Sequence, residues 1–174
     1  MTQIEESLRE LDRWYNELPG GTDRPKFLAK LATLELCGWL EYRIDRLVES
    51  TGVLVGLDPV WVTANVLKDN HGFTYQDHLR KMFSKVVGEG GVSHLEAIFE
   101  RESPGKLEQL KAALTGLWKS RGLLAHTHSG AALARQKTVD APSWVINQHR
   151  IIGKVLDQLE EIVPVAFGRT IAKP

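Results

Sequence analysis

Only one cysteine, Cys37, occurs in the 174 residues, so no disulfide can form within the chain. That absence points to a reducing, cytoplasmic setting. Net charge is also missing, because 22 Lys and Arg offset 22 Asp and Glu. A neutral chain has no uniform basic coat for holding nucleic acid regardless of sequence, although a local basic site remains open. Long apolar runs are absent too. No uncharged stretch approaches the roughly 20 residues needed to cross a bilayer, so an integral membrane protein is not expected. The first thirty residues alternate charged and apolar side chains instead of building a charged head, an apolar run and a cleavage site, and no secretory leader is expected. With no repeat, low-complexity tract or composition shift, a single domain over 1–174 is the natural reading. The chain is long enough to bury roughly 70% of the surface that it exposes when unfolded, without help from disulfides or structural metal.

What is present is helical periodicity. Thr2 and Glu5 have capping-box spacing, and Ile4, Leu8, Leu11 and Tyr15 follow at intervals of three or four, which predicts a helix over about 3–18. Pro19-Gly20-Gly21 stops it. Asp23 or Arg24 before Pro25 opens a long helix whose apolar face runs from Phe27 to Val48, with Gly52 available as a left-handed C-cap. Residues 53–102 break into short pieces. Asp58-Pro59 starts one that ends near Asn70, Thr74 starts another that ends at Gly88-Glu89-Gly90-Gly91, and a third covers Ser93 to about Arg101. Val53-Leu54-Val55 fits a short strand as well as a helix end. Ser103-Pro104 then opens a helix running toward Arg121-Gly122, Thr127 to Asp140 is polar and aperiodic, and Ala141-Pro142-Ser143 begins a last helix that Pro164 or Gly168 ends. The expected fold is an all-α bundle of about four longer helices with two or three short accessory helices.

Functional side chains concentrate in Lys119-Ser120-Arg121-Gly122-Leu123-Leu124-Ala125-His126-Thr127-His128. Arginine carries a permanent charge on a planar fork that matches phosphate oxygens, and histidine exchanges a proton near neutral pH. Cleavage of RNA by its own 2′-hydroxyl needs a base, an acid and charge stabilisation at phosphorus. One Arg and one His fall short of that set, whereas two copies meeting across a symmetric dimer supply it. On a continuous helix Arg121 and His126 lie about 140° apart, so a break near Gly122 or His126, or a groove lined by a second chain, is required for them to converge. The alternative at this level is a solvated helix-terminal Arg with a His on the last carbonyls.

The pattern Arg121, four residues, His126, at the end of the penultimate long helix, resembles the R-x(4–6)-H motif of the HEPN superfamily. The run from Leu34 to Leu47, with Trp39, Glu41 and Tyr42 inside it, is similar to the corresponding helix of RiboL-PSP-type HEPN proteins. The likeness spans about two-thirds of the chain. It implies an all-α homodimer acting as a metal-independent endoribonuclease, a toxin or antiviral defence effector with RNA as substrate and an antitoxin or defence-system protein as partner. It implies that Arg121 orients the scissile phosphate and that His126 transfers protons or stabilises the transition state, with Glu41 at a looser acidic position in support. His128 either adds a second imidazole to the site or caps the chain where it leaves the helix, and Lys119 is a further candidate for support. Gly122 stands where the family commonly has a polar residue, which leaves open a non-catalytic HEPN module that binds RNA, a nucleotide or a protein. His128 replaces the Tyr that partner enzymes modify in some HEPN toxins, so control by nucleotide transfer onto that hydroxyl is not expected.

Other residues take quieter readings. His126 and His128 lack a nearby Cys or suitably spaced carboxylate, so neither a metal site nor a cofactor is expected. His71, His78, His94 and His149 read as surface or helix-face residues, Cys37 as core, and Trp39, Tyr42 and Trp118 as packing residues. Arg43, Arg46, Lys119 and Arg135 either widen a basic site or coat solvated helix faces. Gly88 to Gly91 lacks the Lys-Ser/Thr that would make it a phosphate loop.

Overall fold

The computed structural model describes residues 2–18, 23–125 and 139–168. Among them the fold is an all-α helical bundle with no strand. Helix α1 (Gln3–Glu17) starts where the Thr2 backbone N–H donates to Glu5 Oε2 at 3.2 Å, and it buries the stripe Ile4, Leu8 and Leu11. Helix α2 (Arg24–Leu54) has Pro25 in its first turn and is about 46 Å long at 1.5 Å per residue. Its buried face carries Ala29, Ala32, Leu36, Cys37, Leu40, Ile44, Leu47 and Val48. The buried hydroxyls of Thr33 and Thr51 are satisfied within the helix, donating to the carbonyls of Ala29 at 3.1 Å and Leu47 at 2.7 Å.

Gly52 does not cap α2. It is buried inside the helix, where a Cβ would lie 2.7 Å from Val62 Cγ2. Its smallness serves close packing, and the left-handed residue is Gly56 (φ 86°). There the Leu57 N–H reaches back to the Gly52 carbonyl at 2.9 Å and the Gly56 N–H to that of Val53 at 3.0 Å, a Schellman ending. Val53 and Leu54 are therefore helical, which removes the strand alternative.

Helix α3 (Pro59–Val62) is capped by the Asp58 carboxylate, which accepts from the Trp61 N–H at 3.0 Å, and it continues into a π-helical turn over Thr63–Leu67. A second π turn, Tyr75–Leu79, leads into α4 (Arg80–Glu102). The glycine cluster kinks this element, so two helical segments meet at Gly88 as the sequence suggests. Only Gly88 leaves helical geometry (φ 74°, ψ 165°), and the helix resumes at once, before the expected start at Ser93. Glu89 ties the bend together, accepting from Ser84 Oγ and Arg80 Nη1 at 2.7 Å each, while Arg80 Nε also reaches Glu96 at 3.2 Å.

A turn through Gly105 (φ 75°) places the start of α5 at Lys106, just after the Ser103-Pro104 start expected. Helix α5 (Lys106–Ala125) buries Leu107, Leu110, Ala113, Leu114, Leu117 and Leu124. Helix α6 (Pro142–Phe167) passes through Pro164 and ends at Gly168. Helices α1, α2 and α6 pack on one another, α5 lies on α6 and α2, and α4 closes against α6 and α2. Their apolar stripes merge into one continuous core. No helix of the described residues is long and apolar enough to cross a membrane.

Cys37 belongs to that core, 2% exposed, and burial pushes its thiol up to about 12. Since the thiolate is the nucleophile, a thiol reagent such as iodoacetamide at pH 8 should leave the folded protein unlabelled and modify it stoichiometrically once it is unfolded in denaturant. Mass spectrometry checks this, and rapid labelling of the native protein would contradict the burial.

Candidate functional site

Helix α5 runs unbroken through Gly122 to Ala125, so no backbone break at the glycine redirects Arg121. What orients Arg121 is its neighbours. Its Nη1 lies 2.9 Å from Glu41 Oε1 on α2, with side chains 28% and 34% exposed respectively. That Glu41 oxygen is buried and holds the guanidinium as an ion pair without hydrogen-bond alignment. On the other side the guanidinium carbon sits 5.2 Å from the Trp118 ring centre and 5.8 Å from that of Phe73. Trp118 is one helical turn before Arg121 and so shares its face. Phe73 is fully buried and meets Trp118 edge-on, with ring centres 5.3 Å apart. The arginine is thus a half-buried cation on an aromatic floor, held by one carboxylate, near the C-terminal end of α5.

Glu41 sits in an acidic column on α2. Asp45, one turn further on, has its carboxyl pushed above the usual range by burial and then by the neighbouring charges of Glu41 and Glu49. Cys37, one turn back, lies within the electrostatic reach of both Arg121 and Glu41, although burial dominates its thiol.

The expected site residues are distributed unevenly. Arg121 and Glu41 come together. Lys119 is exposed and, two positions from Arg121, points about 200° around the helix from it. His126 and His128 lie outside the described residues, as does Arg135. Arg43 does not widen the basic site: its Nη2 is engaged by Asp157 at 2.9 Å and Glu160 at 2.8 Å, and its guanidinium lies over Trp39. Arg46 pairs with Glu49 at 3.2 Å. His149 is buried instead of lying on the surface. Its ring sits edge-on to Trp39 at 4.6 Å, its Nδ1 has no hydrogen-bond partner, and burial holds its pKa below the ordinary histidine value. Trp118 packs, as expected of it, and also supports Arg121. Among the described residues, no three His, Cys, Asp or Glu side chains cluster so as to hold a metal ion.

No family model, curated protein or solved structure matches this chain. The site must therefore be read from its own geometry. That geometry adds one residue which the sequence reading set aside as a helix-face histidine. His78 packs against Trp118 with ring centres 5.3 Å apart and lies within electrostatic reach of Arg121 and Glu41. Local sequence has only a weak signal for it, the i, i+4 spacing of Thr74 and His78, and nothing local connects it to a residue in a helix 43 positions later.

Proposed function

We propose that the protein is a metal-independent endoribonuclease of the HEPN type, acting at a site that contains Arg121. The observation that carries this reading is the held arginine. Its position is set by Glu41 and Trp118, yet it keeps access to solvent at the helix end where the motif requires a phosphate-binding cation. Glu41 occupies Nη1, and a guanidinium with five N–H donors retains others for a phosphate. In the reaction the 2′-hydroxyl attacks phosphorus, a base takes its proton, and an acid protonates the departing 5′-oxygen, giving a 2′,3′-cyclic phosphate. His126 is assigned to proton transfer from the motif.

A homodimer in which two α5 ends meet about a two-fold axis would double the motif. Gly122, with open space around it, and Leu123, 62% exposed, offer such a contact surface. Within this reading the biological role is that of a toxin or defence effector in the cytoplasm, restrained by a partner protein. The competing reading is a non-catalytic module that binds RNA, a nucleotide or a protein. The Arg121–Glu41 pair favours it in one respect, because the carboxylate partly neutralises the charge offered to a phosphate.

Mixed RNA incubated with the purified protein in excess chelator should be cut to products ending in cyclic phosphate. Arg121→Ala and His126→Ala should not cut it. Excess His126→Ala chain mixed with wild type should depress the rate beyond simple dilution, since heterodimers keep only one of the paired imidazoles. Cleavage that vanishes in chelator or survives both substitutions overturns the mechanism. RNA binding without turnover, lost in Arg121→Ala, establishes the binding module instead.

A further inference from the structure

Segment 68–79 brings an imidazole, that of His78, against Trp118, the ring that also supports Arg121. Three contacts fix the His78 ring. Thr74 Oγ1 lies 2.8 Å from Nδ1, Trp118 covers one side with rings tilted at 47°, and buried Gly72 packs so closely that any Cβ there would overlap the imidazole. Nε2 makes no hydrogen bond to a described residue. The half-buried ring lines a cavity of about 360 Å³ whose polar wall comes from Asp69, Asn70, His71, Asp77, Lys81 and Lys85.

This arrangement suits proton exchange. A threonine hydroxyl both donates and accepts, so Thr74 supports either tautomer of His78: donating to Nδ1 leaves the proton on Nε2, and accepting from Nδ1–H leaves Nε2 with a free lone pair. The charged groups acting on the ring are Asp77 from its own segment, Lys81 from α4, Arg121 from α5 and Glu41 from α2, and Asp69 and Lys85 line the same cavity. Their signs are mixed, and burial is the main cause that lowers the His78 pKa below the ordinary value, keeping the ring neutral near pH 7. Arg121 and His78 share Trp118 as their support, the guanidinium carbon 5.2 Å and the imidazole centre 5.3 Å from the indole ring.

We infer that His78 and Arg121 of one chain engage the same RNA phosphodiester, Arg121 as the fixed positive charge and His78 Nε2 as a proton-transfer group. The inference rests on the endoribonuclease reading for its chemical half. Neutral Nε2 takes the proton of the 2′-hydroxyl as that oxygen bonds to phosphorus. The bond to the 5′-oxygen breaks, that oxygen takes a proton from solvent water, and the proton held on His78 returns to solvent, so the products are a 2′,3′-cyclic phosphate and a 5′-hydroxyl with no net water consumed. Each chain then carries an imidazole beside its own arginine, whatever a second copy adds.

The test has a readout independent of turnover. The His78 imidazole is followed by NMR through a pH titration with and without uridine 3′-phosphate, in wild type and in Arg121→Ala. The nucleotide's phosphate should raise the His78 pKa by about one pH unit or more, as an adjacent opposite charge does, and Arg121→Ala should abolish the rise. In single-turnover RNA cleavage, His78→Gln should lower the rate on the order of 10²–10⁴-fold, with little change in RNA affinity, and should remove one limb of the pH profile. Thr74→Val, which frees the ring without removing it, should cause a smaller loss. A wild type that cuts RNA beside an equally active His78→Gln overturns the His78 assignment and leaves the endoribonuclease reading standing. A wild type that cuts no RNA, while its His78 titration still moves with the nucleotide in an Arg121-dependent way, overturns the nuclease reading and supports the shared phosphate site. A His78 pKa indifferent to the nucleotide overturns the inference in either case.

Discussion

On the proposed endoribonuclease reading, Arg121→Lys should abolish RNA cleavage nearly as completely as Arg121→Ala, with a fall in rate on the order of 10²–10³-fold, the usual cost of removing one donor that stabilises transition-state charge. Lysine preserves the charge, so a purely electrostatic role would leave the variant active. Geometry argues otherwise. The guanidinium pairs with Glu41 at 2.9 Å, and its central carbon lies 5.2 Å from the Trp118 ring centre and 5.8 Å from that of Phe73. An ammonium is a compact, strongly hydrated point charge that offers neither the planar fork nor the stacking surface. Single-turnover cleavage measures the loss, and thermal melting establishes that both variants fold. Full activity in Arg121→Lys would show that a cation alone suffices. Glu41→Gln separates the two functional readings. If Glu41 holds Arg121 for catalysis, turnover falls. If Glu41 only competes with phosphate on a binding module, RNA binds more tightly and is still not cut.

Phe99→Ala should cost about 3–5 kcal/mol of stability, the range for removing a buried aromatic side chain and leaving a cavity. Phe99 is fully buried, and α4 meets both α2 and α6, so several elements would have to move to fill the space. For a chain of this size the melting temperature should fall on the order of 10 °C. Val60→Ala, at a position 75% exposed, should change stability by no more than about 0.5 kcal/mol. Denaturant unfolding of the two variants side by side provides the comparison. A loss below about 1 kcal/mol for Phe99→Ala would place that ring outside the core, contrary to its burial.

The sequence by itself determined the helical class, the approximate limits of α1, α2, α5 and α6, and the stripes that those helices bury. It did so because a helix repeats every 3.6 residues, and apolar positions at that period, together with proline at starts and glycine at ends, are local information. It also singled out Arg121 and Glu41, through the motif and the long helix, and set Cys37 in the core. Tertiary structure decided what local patterns leave ambiguous. A glycine without a Cβ suits both a left-handed turn and a close helix contact, and only the arrival of Val62 makes Gly52 the latter. Four residues rich in glycine, 88–91, read as a break, and the packing places that break at Gly88 alone, with Arg80 and Ser84 holding Glu89 across the kink. Arg43 looked available for a basic groove until α6 supplied Asp157 and Glu160. His78 gained its place against Trp118 in the same way, because proximity between residues 40 positions apart comes from which helix faces pack together, a property of the whole bundle that no single stretch of chain encodes.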